Sequence, residues 1–179
     1  MDAPEPGTDG ASLIDSFWQV ARMRAKLNPT GYYTGERPLA LLPPPAWAFG
    51  ATPEQADKLL ALVLSGTKTA TAGALWDYEA EGEELPAPGA LGIVTDGRGV
   101  PHALVVMTQV DIVPFDEVST EHAYLEGEGD RSLATWREVH EQFFTKHAEH
   151  SHGFSPDMPV VLQRFTVLFN QTSADSFTG

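Results

Sequence analysis

Apolar residues recur at helical spacing in three stretches of the chain. Leu13, Phe17, Val20 and Ala21 mark one face of a helix over residues 12–26, with Arg22, Arg24 and Lys26 near its C-terminal end, where positive charge suits the helix dipole. Ala56, Leu59, Leu60 and Val63 mark a second helix over residues 52–65. Thr52 is a good N-cap for it, Pro53 suits the first helical position and Gln55 completes a capping box. Gly66 stands where a left-handed residue closes the C-terminus. Leu133, Trp136, Val139, Phe143 and Phe144 form the third stripe, behind the cap residue Ser132. Strand patterns occupy residues 91–95, 102–113 and 159–169, and the turn Asp96-Gly97-Arg98-Gly99 predicts that the first two form a hairpin. Between these elements residues 29–51 read as loop, Trp76-Asp77-Tyr78 leads into an acidic loop to Glu84, and residues 117–130 read as short helical or loop pieces. Residues 1–11 and 171–179 read as loose tails. The pattern predicts a single α+β domain, without internal repeats, in which mostly antiparallel strands curl into a small sheet or barrel flanked by two or three helices.

Composition narrows this only slightly. The 179-residue chain is long enough for a sizeable core, and without cysteine it has neither disulfides nor thiolate metal sites. No apolar run approaches a membrane span and the N-terminus lacks a secretory plan, so a cytoplasmic protein without a membrane partner is expected. The formal charge of −14 argues against broad binding to long duplex nucleic acid. Its distribution matters more than its sum. Residues 74–130 hold thirteen acidic side chains and one basic, Arg98, whereas residues 16–53 hold Arg22, Arg24, Lys26 and Arg37 against Glu36 alone. An anionic ligand is therefore expected to meet the N-terminal part and Lys68.

The candidate chemistry centres on Gly66-Thr67-Lys68-Thr69-Ala70-Thr71, where a helix hands over to a strand. A threonine hydroxyl attacks only when a neighbouring base takes its proton, and a lysine serves as that base when its surroundings favour the neutral amine. The odd separation of Lys68 and Thr71 puts them on opposite faces of a regular strand, so their meeting requires a bend after Gly66. Glu126 and Glu128, among glycines that let backbone approach a ligand, supply a carboxylate to orient the pair or move its proton. The plain alternatives are a polar strand edge and a solvated acidic loop. His147, His150 and His152 follow the third helix in a loop without a further ligand, and no metal site is assigned to them. Walker, Rossmann, zinc-protease and Gly-x-Ser-x-Gly motifs are absent.

Several blocks, in order, resemble the ASCH-domain family. They are Trp47-Ala48-Phe49-Gly50, the helix from Ala56 to Val63, Ser65-Gly66-Thr67-Lys68-Thr69-Ala70-Thr71, Pro114-Phe115-Asp116-Glu117-Val118, and Glu126-Gly127-Glu128-Gly129-Asp130-Arg131-Ser132-Leu133 with Trp136-Arg137 and His140. The resemblance implies a PUA-like β-barrel over residues 47–170, preceded by a helix and a Pro- and aromatic-rich extension over residues 12–46. It also implies an RNA or nucleotide ligand. Some family members are ribonucleases, and a small-protein branch removes the acetyl group of acetylcytidine with a Lys-x-x-Thr pair and a glutamate. Carried over, these roles fall on Lys68, Thr71 and Glu126 as catalytic residues. Thr69, Tyr32, Tyr33, Trp76, Glu128, Arg131 and Arg137 are the expected substrate contacts. The arginine that the family often carries five residues after the lysine is replaced by Gly73. The expectation is a hydrolase acting on short single-stranded RNA or a modified nucleoside, with a non-catalytic RNA- or nucleotide-binding module as the alternative. No cofactor is expected, a divalent cation and a homodimer being left open.

Overall fold

The structure is a computed structural model that describes residues 8–25 and 42–171. In chain order the elements are α1 (Thr8–Arg24), β1 (Ala46–Trp47), α2 (Pro53–Leu64), β2 (Ala70–Ala74), α3 (Leu75–Glu81), β3 (Leu91–Thr95), β4 (Pro101–Pro114), a 3-10 turn (Phe115–Glu117), α4 (Thr120–Glu126), α5 (Leu133–Lys146) and β5 (Pro159–Asn170). The strands form one five-stranded sheet in the order β1-β3-β4-β5-β2. β3 and β4 are the antiparallel hairpin that the Asp96 turn predicts, β2 runs antiparallel to β5, and the short β1 lies parallel to β3. The α+β expectation therefore holds. Of the sheet or barrel expected, the word barrel applies only loosely: among the described residues β1 and β2 remain edges and the sheet is not closed.

Two compact units can be told apart. Among the described residues, one comprises 8–25, 42–60, 91–106 and 167–171, the other 61–90 and 107–166. In the first, Phe17, Trp18 and Ala21 of α1 pack on Ile93, Leu104 and Phe169. Trp47 meets Phe49 edge-on, 6.3 Å between ring centroids. In the second, the stripe of α5 is buried through Trp136 and Phe144, against Phe115, Val118, Met158 and the strand residues Ala74 and Val160. Ser132 caps α5 and Ser119 caps α4, each accepting from a backbone N–H three residues on.

Two local expectations change. α1 begins at Thr8, four residues before the expected start at residue 12 and inside the stretch read as a tail, because a first helical turn needs no apolar residue. α3 occupies the stretch read as an acidic loop. It has no buried residue and hence no apolar stripe, and it stops at Gly82, whose φ of 67° is left-handed. α4, ending on Glu126, is one of the short helical pieces expected over residues 117–130. Residues 1–7, 26–41 and 172–179, with Lys26, Tyr32, Tyr33 and Arg37, lie outside the described residues. None of the described helices is long and apolar enough to cross a membrane.

Candidate functional site

The site is built where the segment after α2 meets the end of α4, within the second unit. Gly66 takes a φ of 78°, and the N–H groups of Thr67 and Lys68 both donate to the Leu62 carbonyl, 2.9 and 3.0 Å away. The chain then runs along the last turn of α4. Such a turn leaves carbonyls without helical donors, and here they are met from outside. Leu125 O accepts from Thr69 N at 2.8 Å, and Glu126 O accepts from Lys68 Nζ at 3.5 Å. Tyr124 O accepts from Arg131 Nε at 2.9 Å. The approach is close enough to demand glycine. Gly127 has a φ of +74°, and a Cβ there would stand 2.6 Å from the Thr67 carbonyl oxygen.

This contact buries a set of charges. Lys68 and Glu126 are each 1% exposed, and Glu128 is 30% exposed. Lys68 Nζ lies 3.6 Å from Glu126 Oε2 and 3.2 Å from Glu128 Oε1. Glu126 Oε1 accepts from His122 Nε2 and from Trp136 Nε1, both at 2.8 Å. His140 Nε2 lies 3.2 Å from Glu126 Oε2, and its Nδ1 donates to Trp136 O at 2.9 Å. Both His140 nitrogens therefore face oxygen acceptors, an arrangement that suits the imidazolium. Burial works against its charge, but Glu126, and less strongly Glu128, raise the His140 pKa above its ordinary value. Burial likewise opposes ionisation of Glu126. The charge of His140, hydrogen bonds from His122 and His140, and the charge of Lys68 outweigh it and hold the carboxyl well below the usual range.

The arrangement assigns different capacities to the two glutamates. Glu126 is saturated with donors and held ionised, so it orients Lys68, His122 and His140 and is ill placed to move a proton. Glu128 shares Lys68 and reaches solvent, as a proton relay must. Ligand atoms of Glu126, Glu128 and His140 lie within 4.8 Å of one another, a spacing open to a metal ion. The Lys68 amine already bridges the two carboxylates, so an ion would have to displace it and take the His140 proton.

The other expected residues are distributed as follows. Thr71 lies in β2 opposite Gln163, on the strand face away from Ala72 and Ala74, and is half-buried. Thr69 Oγ1 donates to Leu125 O at 3.4 Å. Arg131, with a left-handed φ of 62°, lies 3.6 Å over the Tyr124 ring and donates to the Tyr124 and Thr67 carbonyls. Arg137 donates to Asp116 O at 2.9 Å. Trp76 packs beside the core of its unit, with the His150 and His152 rings 5.1 and 4.5 Å from its own. Tyr32 and Tyr33 lie outside the described residues. Sequence reasoning assigned no role to His122, and it read Trp136 as core alone. The signal was present: His122 and Glu126, and Trp136 and His140, are four apart on helices and so share a face.

Two predictions follow from this geometry. Gly127→Ala should destabilise the protein by roughly 1–3 kcal/mol through the clash in addition to backbone strain. Gly82→Ala, where a Cβ meets open space, should cost only the left-handed penalty of ~1 kcal/mol; urea unfolding of the two variants checks the difference. Stability should also be bounded on both sides of a pH window. Glu126, with a depressed folded pKa, stabilises above about 4.5 and loses this as pH falls through its folded value. His140, with a raised one, stabilises fully below about 6.5 and loses this as pH rises through its folded value. Urea midpoints against pH should show both limbs, and His140→Gln should flatten the alkaline one.

Comparison with known proteins bears on the family and the fold. A family model described as the ASCH domain matches residues 45–169. The solved ASCH domain from Lactobacillus crispatus JV V101 is 32% identical over 83% of this chain and 96% of its own, with a TM-score of 0.68. A solved protein of Enterococcus faecalis V583, under the family model DUF984, is 34% identical over 92% of this chain and 93% of its own, with a TM-score of 0.76. No curated protein matches the chain.

Proposed function

Because this chain belongs to the ASCH-domain family, we propose that it is a hydrolase of a modified nucleoside, acting on an acylated amino group of the base as in acetylcytidine. The observation that carries this reading is the burial of Lys68 between two carboxylates, one of which reaches solvent. A lysine meant only to touch phosphate gains nothing from burial, whereas a lysine that exchanges a proton needs a fixed partner.

In the proposed reaction Lys68 passes a proton to Glu128, 3.2 Å away. The neutral amine then takes the Thr71 hydroxyl proton as that oxygen bonds to the acyl carbon. The C–N bond breaks, the departing amino group takes the proton from Lys68, and water cleaves the resulting ester to release the carboxylic acid. Glu126 keeps its charge throughout and positions Lys68. The nucleophilic role of Thr71 rests on its match to the Lys-x-x-Thr pair.

Ribonuclease action and RNA binding fit the family but draw less support from the site. Its accessible charge is a carboxylate, Glu128, and Arg131 and Arg137 are engaged with backbone carbonyls. The chain also carries a net charge of −14. Each of these disfavours a phosphodiester.

The test offers acetylcytidine and a short single-stranded RNA separately to wild type, Lys68→Met and Glu128→Gln. Wild type should release acetate and leave the RNA intact, and both variants should lose at least ~10²-fold in kcat. Circular dichroism and thermal melting check that the variants are folded, since removing one partner of a buried ion pair is costly. Cleavage of the RNA would replace amide by phosphodiester hydrolysis. Binding without turnover of either substrate would reduce the protein to a recognition module.

A further inference from the structure

The face of β2 that carries Thr71 holds a polar group with no part in the reaction above. β5 presents Val161, Gln163 and Phe165 in one buried row, so an amide occupies a position where its neighbours are apolar. A buried carboxamide is costly unless its hydrogen-bonding capacity is used. Within the protein one side-chain bond is made: Gln163 Nε2 donates to the Tyr78 hydroxyl at 2.9 Å. Gln163 Oε1 has no partner among the described residues, and the residue is 7% exposed. The register sets Gln163 directly opposite Thr71, the proposed nucleophile. Two residues along the same face is Gly73, and a Cβ there would stand 3.3 Å from Tyr78 Cε2. The missing side chain at 73 thus leaves room for the Tyr78 ring, which brings its hydroxyl to Gln163. Burial raises the Tyr78 pKa, so the hydroxyl stays neutral. The group of Thr71, Tyr78 and Gln163 contains no charge.

Resting on the reading of the protein as a nucleoside hydrolase, the geometry points to Gln163 as the residue that determines specificity, its Oε1 accepting the N–H of the acylated amino group and Tyr78 holding the carboxamide in the orientation that presents Oε1. The tyrosine acts by fixing the amide: with Nε2 committed to the hydroxyl, the oxygen is turned the other way. The substrate class is then a secondary amide on an uncharged base edge. A tertiary amide, which lacks that N–H, is rejected because it leaves the acceptor unpaired.

The deciding experiment compares N4-acetylcytidine with N4-acetyl-N4-methylcytidine on the full chain, by kcat/KM for acetate release and, in a Lys68→Met background without turnover, by the side-chain amide resonances of Gln163, assigned through Gln163→Met. Wild type should prefer the N–H ligand by at least ~10-fold, the order expected for one hydrogen bond to a buried acceptor. That ligand alone should shift the Gln163 amide signals. Gln163→Met should bring the ratio near one, Gln163→Glu, which keeps an acceptor, should retain a preference, and Tyr78→Phe should reduce it part-way. Hydrolysis of acetylcytidine with no preference between the two ligands, with unmoved Gln163 signals, or with the full ratio retained in Gln163→Met would overturn this assignment and leave the hydrolase standing. Failure to bind or hydrolyse either compound would remove both.

Discussion

One contact organises the second unit: the strand-bound segment after α2 lies against the last turn of α4. A helix of seven residues gains little from its own hydrogen bonds. Its last carbonyls are supplied by Thr69, Lys68 and Arg131, and its last side chain neutralises the lysine that caps it. The segment in turn owes its path to α4, since Lys68 could not be buried without Glu126. Neither piece is stable in this form without the other, and Gly127 permits the distance between them.

The buried charges extend this dependence to α5. Glu126 receives donors from three directions: Lys68 before β2, His122 one turn back in α4, and Trp136 and His140 on α5. The apolar stripe of α5 and the polar side of the site share the same tryptophan, whose ring packs in the core while its N–H holds the carboxylate. Core packing thus sets where Glu126 points, and Glu126 sets where Lys68 points.

Much of this was legible from residues alone, for identifiable reasons. The helix over residues 52–65 and the hairpin at Asp96 carry strong capping and turn signals, and local chemistry decides them. Lys68, Glu126 and Glu128 were singled out, and they do come together. What sequence could not give was burial. Glu126 sits among glycines and acids, which reads as a solvated loop, and only the packing of three elements reveals a desolvated carboxylate. His122 escaped notice because its spacing of four from Glu126 gains meaning only once both residues are seen to be helical and the carboxylate buried. Whether the strands make an open sheet or a closed barrel was not legible for a different reason: closure depends on the edge strands, and β1, at two residues, is too short to show as a pattern.

The pairing of β2 with β5 sets Thr71 against Gln163, Ala72 against Leu162 and Gly73 against Val161. Side chains alternate along both strands, so a slip by one position would put Leu162 or Arg164 beside Thr71 and turn the amide away. One residue inserted or deleted within β2 would exchange its two faces. The chain that connects the two strands carries Tyr78, Glu126, Glu128 and His140, so the turn from α4 to α5 and the step from β2 into α3 are held to length as well. Among relatives of this chain, length variation should therefore collect in the remaining loops, such as residues 82–90 and 147–158, and stop abruptly at the ends of β2 and β5.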